Sequence, residues 1–173
     1  PVSWIDASGS EQIAIGLAHG TVEGLPDVEP DHPIPRDAAQ TAGLDYMAIG
    51  HWHSYTPYPD PDGAIRMAYS GTHETTKFGE RESGNVLLVE IAERGSAPEV
   101  EVIRTGGLSW QSIDKEMNAE GDLDRVLQEI NALEHPGTLL VRLRLSGILF
   151  ANDRAALETL AEIVATRFLF GAL

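Results

Sequence analysis

Up to residue 103 the apolar residues of this chain come in short runs, and after Gly106-Gly107 they recur at intervals of three and four. Runs of about six apolar residues bounded by turn formers suit buried strands, whereas i, i+3, i+4 spacing suits an amphipathic helix. The change divides the chain into a β-rich part, residues 1–105, and a second part, residues 106–173, that mixes helix with strand. The fold class expected is α+β.

In the first part, Ile13 to Ala18 (IAIGLA) reads as a buried strand with His19-Gly20 at its C-terminal end. Residues 20–36 carry Gly, Asp and four prolines, which is loop chemistry. A short helix is expected over Pro35 to Ala42, with proline at its start and Gly43 just past its end. Leu44 to Ile49 is the next strand, and it delivers His51 and His53. Residues 54–63 form a Pro/Tyr/Asp loop, Ala64 to Tyr69 a strand closed by Ser70-Gly71, and Val86 to Ile91 (VLLVEI) a strongly apolar strand. After a turn over Ala92 to Pro98, Glu99 to Ile103 alternates charged with apolar residues, as a half-exposed strand does.

In the second part, Leu123, Val126, Leu127, Ile130 and Leu133 predict an amphipathic helix over residues 122–134, starting near Gly121 or Asp122 and stopped by His135-Pro136-Gly137. Thr138 to Leu145 reads as a strand with Arg142 and Arg144 on one face and Val141, Leu143 and Leu145 on the other. Leu157, Leu160, Val164 and Phe168 predict a second helix, capped by Asn152 or Asp153. The expected module is helix, strand, helix.

Composition removes several classes. With 42% hydrophobic residues, the 173-residue chain can bury a core, so disorder is not the default. The lack of cysteine excludes disulfide scaffolds and thiolate zinc sites, and fits a reducing cytosol. No stretch approaches the length of a membrane span, and no signal peptide precedes the first strand, so a cytoplasmic protein without a membrane partner is expected. Twelve Lys and Arg against 27 Asp and Glu give a net charge of −15, which argues against a generic polyanion-binding surface. A nucleic-acid substrate would need a local site, where bound divalent cations add positive charge that composition does not count. The start at Pro1 and the apolar finish at Phe168 to Leu173 read as the cut ends of a longer protein.

His51 and His53 are the sharpest chemical signal. Residues i and i+2 of an extended chain point the same way, about 6 to 7 Å apart. That separation suits two histidines serving two metals about 3.5 to 4 Å apart, or chelating one. Gly50 lets the backbone come close just before them. The bland alternative is a solvated loop, but His19 at a second strand end adds a third imidazole at the kind of place where open sheets build sites.

The stretches "LDYMAIGHWH", "IRMAYSGTHETTKFGE" and "GNVLLVEI", with "IAIGLAHG" upstream, resemble the calcineurin-like metallophosphoesterases, and among them the SbcD-type double-strand-break repair exonucleases. Order and spacing of the four elements match over residues 13–91, while residues 106–173 resemble the family's small capping domain in order of elements. The resemblance implies the C-terminal half of a metallophosphoesterase sandwich followed by part of a cap. It further implies two divalent metal ions, manganese by family habit, with His19 and His51 on one and His53 on the other. The implied reaction is phosphodiester hydrolysis at DNA ends, with an SMC-like ATPase subunit as partner and a homodimeric parent. The family's Asp-x-His, Gly-Asp and Gly-Asn-His-Asp motifs, which carry the bridging carboxylate and the catalytic histidine, should precede this region, and none of them occurs before His19, so the chain alone is expected to be inactive.

Two rival expectations stay open: a phosphoesterase acting on a small nucleotide or phosphoprotein, and a non-catalytic interaction module that keeps the fold. Among other residues, Lys77 and Arg81 bracket Phe78-Gly79-Glu80 and are candidates for contact with DNA phosphates. Arg142 and Arg144 either meet duplex backbone or pair with Glu residues of neighbouring helices. His73 follows a Ser-Gly-Thr turn and could approach a phosphate or simply be solvated. His32 and His135 read as turn residues, and Trp52 as a packing residue.

Overall fold

A computed structural model of the chain describes residues 5–24 and 31–173, so residues 25–30 of the expected proline-rich loop lie outside the described residues, as do residues 1–4. The chain is α+β and forms two compact units, Pro1–Thr76 with Glu80–Gly106, and Lys77–Gly79 with Gly107–Leu173.

The first unit is built on a mixed sheet. Strands β1 (Ile15–His19), β2 (Tyr46–Gly50), β3 (Thr56–Pro59) and β4 (Ile65–Tyr69) lie in the order β1-β2-β4-β3, with β1, β2 and β4 parallel and β3 antiparallel to β4. Met47 pairs with Met67 and Ile49 with Tyr69, and all four are buried, because a central parallel strand is covered on both faces. Helix α1 (Ala38–Thr41) is shorter than the expected 35–42. The Pro35 carbonyl accepts the Ala38 N–H in a three-residue turn, Asp37 makes no side-chain cap, and Gly43, at φ 64°, ends the helix.

The expected loop at 54–63 contains β3. Its Pro57 and Pro59 lack an N–H to donate, but β3 is the sheet edge, where a missing donor leaves no neighbour unpaired. A separate antiparallel pair, β5 (Asn85–Glu90) and β6 (Glu99–Arg104), completes the unit.

The loop between β5 and β6 is tied to the sheet by a buried charge. Asp45 is 1% exposed; its Oδ2 accepts from Arg94 Nη1 at 2.6 Å and Ala14 N–H at 2.7 Å, and its Oδ1 accepts from Gly95 N–H at 2.7 Å. Burial alone would raise its pKa, but these hydrogen bonds and the guanidinium charge together hold it below the usual carboxylate value. Arg94 also donates to the Ala7 and Gly43 carbonyls, at 2.8 and 2.6 Å.

The edge strand β1 departs from the burial of β2. Ala14, Gly16 and Ala18 face inward, whereas Ile13, Ile15, Leu17 and His19 share an exposed face, Leu17 to 83%.

In the second unit, β7 (Ser109–Met117), α2 (Asp122–Asn131), β8 (Leu139–Gly147), α3 (Asp153–Arg167) and β9 (Phe170–Ala172) alternate, and the sheet order is β7-β8-β9 with both pairings parallel. The expected helix, strand, helix is thus flanked by two further strands, and each helix is a crossover connection. Leu123, Val126 and Ile130 of α2 pack with Leu160 and Val164 of α3 over Val141 and Leu143 of β8. Asp122 caps the turn before α2 by accepting Asn118 and Ala119 N–H at 2.8 and 2.7 Å, bonds that lower its pKa. Neither residue expected to cap α3 does so: Asn152 makes no side-chain cap bond, and the Asp153 Oδ2 instead accepts Phe150 N–H, in the turn before the helix, at 2.8 Å. Arg144 pairs with Asp114 of β7 at 2.7 Å rather than with a helix glutamate, and Arg142 donates to Ser112 at 2.9 Å while lying over the Phe78 ring.

Candidate metal centre

Parallel pairing of β1 and β2 puts His19 in register with Gly50, so the last residue of one strand lies beside the residue before His51. Gly50 has no side chain to interfere: a Cβ there would stand 2.9 Å from His19 Nδ1. The His19 and His51 rings meet edge to face with centroids 5.3 Å apart. Two imidazoles from rigid strand ends thereby share one exposed corner of the unit.

The turn after His19 is held from below by Tyr69, which is fully buried. Its hydroxyl donates to the Gly20 carbonyl at 2.6 Å and accepts Val22 N–H at 2.8 Å, and burial pushes the phenol pKa up. Gly20 is required here because a Cβ would run into the His32 carbonyl.

The extended-chain geometry expected for His51 and His53 does not hold. β2 stops at Gly50, and His51 adopts φ 127°, a region that disfavours any residue with a Cβ and costs on the order of 1–3 kcal/mol. The backbone turns there, so the two histidines do not stand side by side along a strand. Trp52, between them, packs partly buried against the core of the unit, in keeping with a packing residue.

His53 instead reaches the loop after β4. Its Nδ1 lies 2.6 Å from Glu80 Oε1 and 3.1 Å from the Thr76 hydroxyl. Glu80 is anchored in turn by the Thr76 N–H on Oε2 at 2.7 Å and the Thr76 hydroxyl on Oε1 at 2.9 Å. Sequence reasoning passed over Glu80 and Thr76. Their signal is the Phe78-Gly79-Glu80 element itself, in which the flanking cations Lys77 and Arg81 are the more obvious candidates because cations suit phosphate contact.

Lys77 is exposed and belongs to the segment grouped with the second unit; Arg81 is exposed on the first. His73 is exposed, and its carbonyl accepts the Thr105 hydroxyl at 2.6 Å. His32 and His135 both adopt left-handed backbone, at φ 47° and 52°, as turn residues do.

The donor set fits a divalent metal in part. His19 and His51 offer neighbouring imidazoles beside an empty Gly50, and His53 has one nitrogen engaged by a carboxylate while the other is free to ligate, an arrangement common in metal sites. Among the described residues no three His, Cys, Asp or Glu side chains are gathered closely enough to hold one ion. His19, His51 and His53 therefore fit part of a nitrogen-donor set that no further side chain completes among the described residues. Among the described residues, no helix is long and apolar enough to cross a membrane. Neither a comparison with models of protein families nor one with curated proteins finds a match to this chain.

Proposed function

We propose that this chain carries one wall of a dinuclear metal site of a calcineurin-like phosphodiesterase, acting on DNA ends in the manner of the SbcD-type repair exonucleases. The observation that carries the reading is the 5.3 Å approach of the His19 and His51 rings at adjacent parallel strand ends, with His51 held in a strained conformation. Strain of this kind persists where surrounding structure over-determines it, and it clusters at functional sites. His19 and His51 would hold one divalent ion, manganese in this reading, and His53 the other through the nitrogen that Glu80 leaves free.

The chemistry that two such ions supply when bound is neutralisation of the phosphodiester charge and activation of a water near neutral pH. The chain's own residues bind and orient. His19 and His51 are fixed by strand register and by Gly50, His53 by Glu80 and Thr76, and Tyr69 keeps the turn after His19 in place. Because the donors are imidazoles without a bridging carboxylate, hydrolysis needs ligands from outside these residues, and the chain alone binds metal weakly and does not cleave. Pairing with an SMC-like ATPase and a cytoplasmic, dimeric parent belong to the same reading.

The test is a Mn2+ titration of the chain, read by selective broadening of the His19, His51 and His53 ring signals, with cleavage of linear duplex DNA assayed in the chain and in its full reading frame. Broadening of these three rings ahead of His73 and His135, with cleavage confined to the longer protein and lost on His53→Ala, is expected. Uniform broadening of all histidines, or undiminished cleavage after His53→Ala, would sink the reading.

A further inference from the structure

The hydrogen bonds around His53 decide which of its two nitrogens is open, and the residue that decides it lies outside the histidine set. Glu80 has a side chain only 3% exposed, whereas the His53 side chain is 45% exposed. A carboxylate has acceptor positions alone. With Glu80 Oε1 2.6 Å from His53 Nδ1, the proton between them belongs to Nδ1. The Thr76 hydroxyl donates to the same Oε1, so its lone pairs face the same N–H at 3.1 Å and reinforce the assignment. A neutral imidazole carries one ring proton. Once that proton is on Nδ1, the lone pair is on Nε2, which has no hydrogen-bond partner among the described residues.

We propose that Glu80, assisted by Thr76, is a positioning residue that locks His53 in its Nδ1-protonated tautomer and so presents Nε2 as the nitrogen that takes a divalent cation. The cation part rests on the metal-ligand reading of His53; the tautomer part does not. The carboxylate stops the ring from rotating and fixes which nitrogen faces outward, which is how buried acceptors orient imidazole ligands. A purely structural Glu80, serving to close the 76–80 turn through the Thr76 N–H, would leave the tautomer equilibrium of a half-exposed ring near that of free histidine.

The experiment is 15N NMR of the imidazole nitrogens in the metal-free 173-residue chain, at about pH 8 where an ordinary histidine is neutral. The wild-type His53 ring is expected to carry its proton on Nδ1. Glu80→Ala shifts the population toward Nε2–H, and Glu80→Gln, which keeps one acceptor oxygen, gives an intermediate shift. The wild-type spectrum needs no variant to fold, and a proton on Nε2 there overturns the proposal, as does a Glu80→Ala ring indistinguishable from wild type.

A second arm uses Mn2+ alone. Removal of such an acceptor is expected to raise the Mn2+ concentration needed to broaden His53 about 10- to 100-fold. If wild-type His53 ignores Mn2+ while its proton sits on Nδ1, the cation reading of His53 falls and control of the tautomer by Glu80 stands. If His53 takes up Mn2+ equally well in wild type and Glu80→Ala, the metal reading stands and the positioning role falls.

Discussion

Two carboxylates of the first unit are almost equally buried, yet they do opposite things. Asp45, 1% exposed, spends its oxygens on Arg94 and on the amides of Ala14 and Gly95, so its network closes on itself. Glu80, with a side chain 3% exposed, hands one oxygen to the Thr76 amide and shares the other with the Thr76 hydroxyl and His53, whose ring stands half in solvent. A closed network holds fold; a network that ends in an exposed lone pair holds a site. The distinction lies in what the last partner has left over, not in the burial of the acid.

Five perturbations would break or sharpen that contrast. The largest is Arg94→Ala, which leaves the Asp45 charge buried and frees the loop after β5; a loss of about 3 kcal/mol is expected in urea unfolding. Glu80→Ala should cost about 1 kcal/mol by the same measurement, since His53 is left to water. Equal losses would erase the contrast.

Next, Tyr69→Phe leaves the Gly20 carbonyl and Val22 amide without their shared hydroxyl, at a cost of about 2 kcal/mol by thermal or urea unfolding. Because that hydroxyl supports the turn after His19, the variant should also move the His19 ring signals.

The acid limb of stability, compared with and without Arg94, tests Asp45. Its folded pKa lies below the ordinary 3.8, so the stabilisation it gives is complete above the unfolded value and disappears as pH falls through that value toward the folded one. The urea midpoint should therefore drop from about pH 4 downward, and drop less steeply in Arg94→Ala. An unchanged slope in the variant would show that the backbone amides alone depress the pKa.

Gly50→Ala is the smallest in stability, within about 1 kcal/mol, because the clash is with a movable ring rather than with backbone. Its effect should fall on the site: the His19–His51 edge contact is lost, and Mn2+ broadening of His19 weakens while that of His53 persists. Parallel weakening at both would show that the site is less modular than the separate supports of His19 and His53 imply.

Much of the fold was legible because its elements carry dense apolar signals. β1, β2, β4, β5, β6 and β8 sit where apolar runs or alternation predicted strands, and α2 and α3 follow their three-and-four spacing. Prolines normally break strands and so make the sequence of β3 look like loop, and only its place at the sheet edge makes them harmless. β7 escaped because Ser109 to Met117 has few apolar residues; Lys115 inside it reaches Glu129 at 2.6 Å, and pairing with the buried β8 makes it a strand. With β7 unseen, Asp114 could not be recognised as the partner of Arg144.

For the candidate site, the sequence by itself determined that His19, His51 and His53 follow strands, since apolar runs and the glycines after them are local properties. Tertiary structure decided what the histidines meet. Strand register set His19 beside Gly50, a backbone turn at His51 undid the extended spacing, and Thr76 and Glu80 reached His53 across 23 and 27 residues of chain. Likewise Arg94 found Asp45 across 49 residues. Periodicity records which face of an element is apolar; the partner of a polar group depends on how distant segments pack, and no local pattern encodes that.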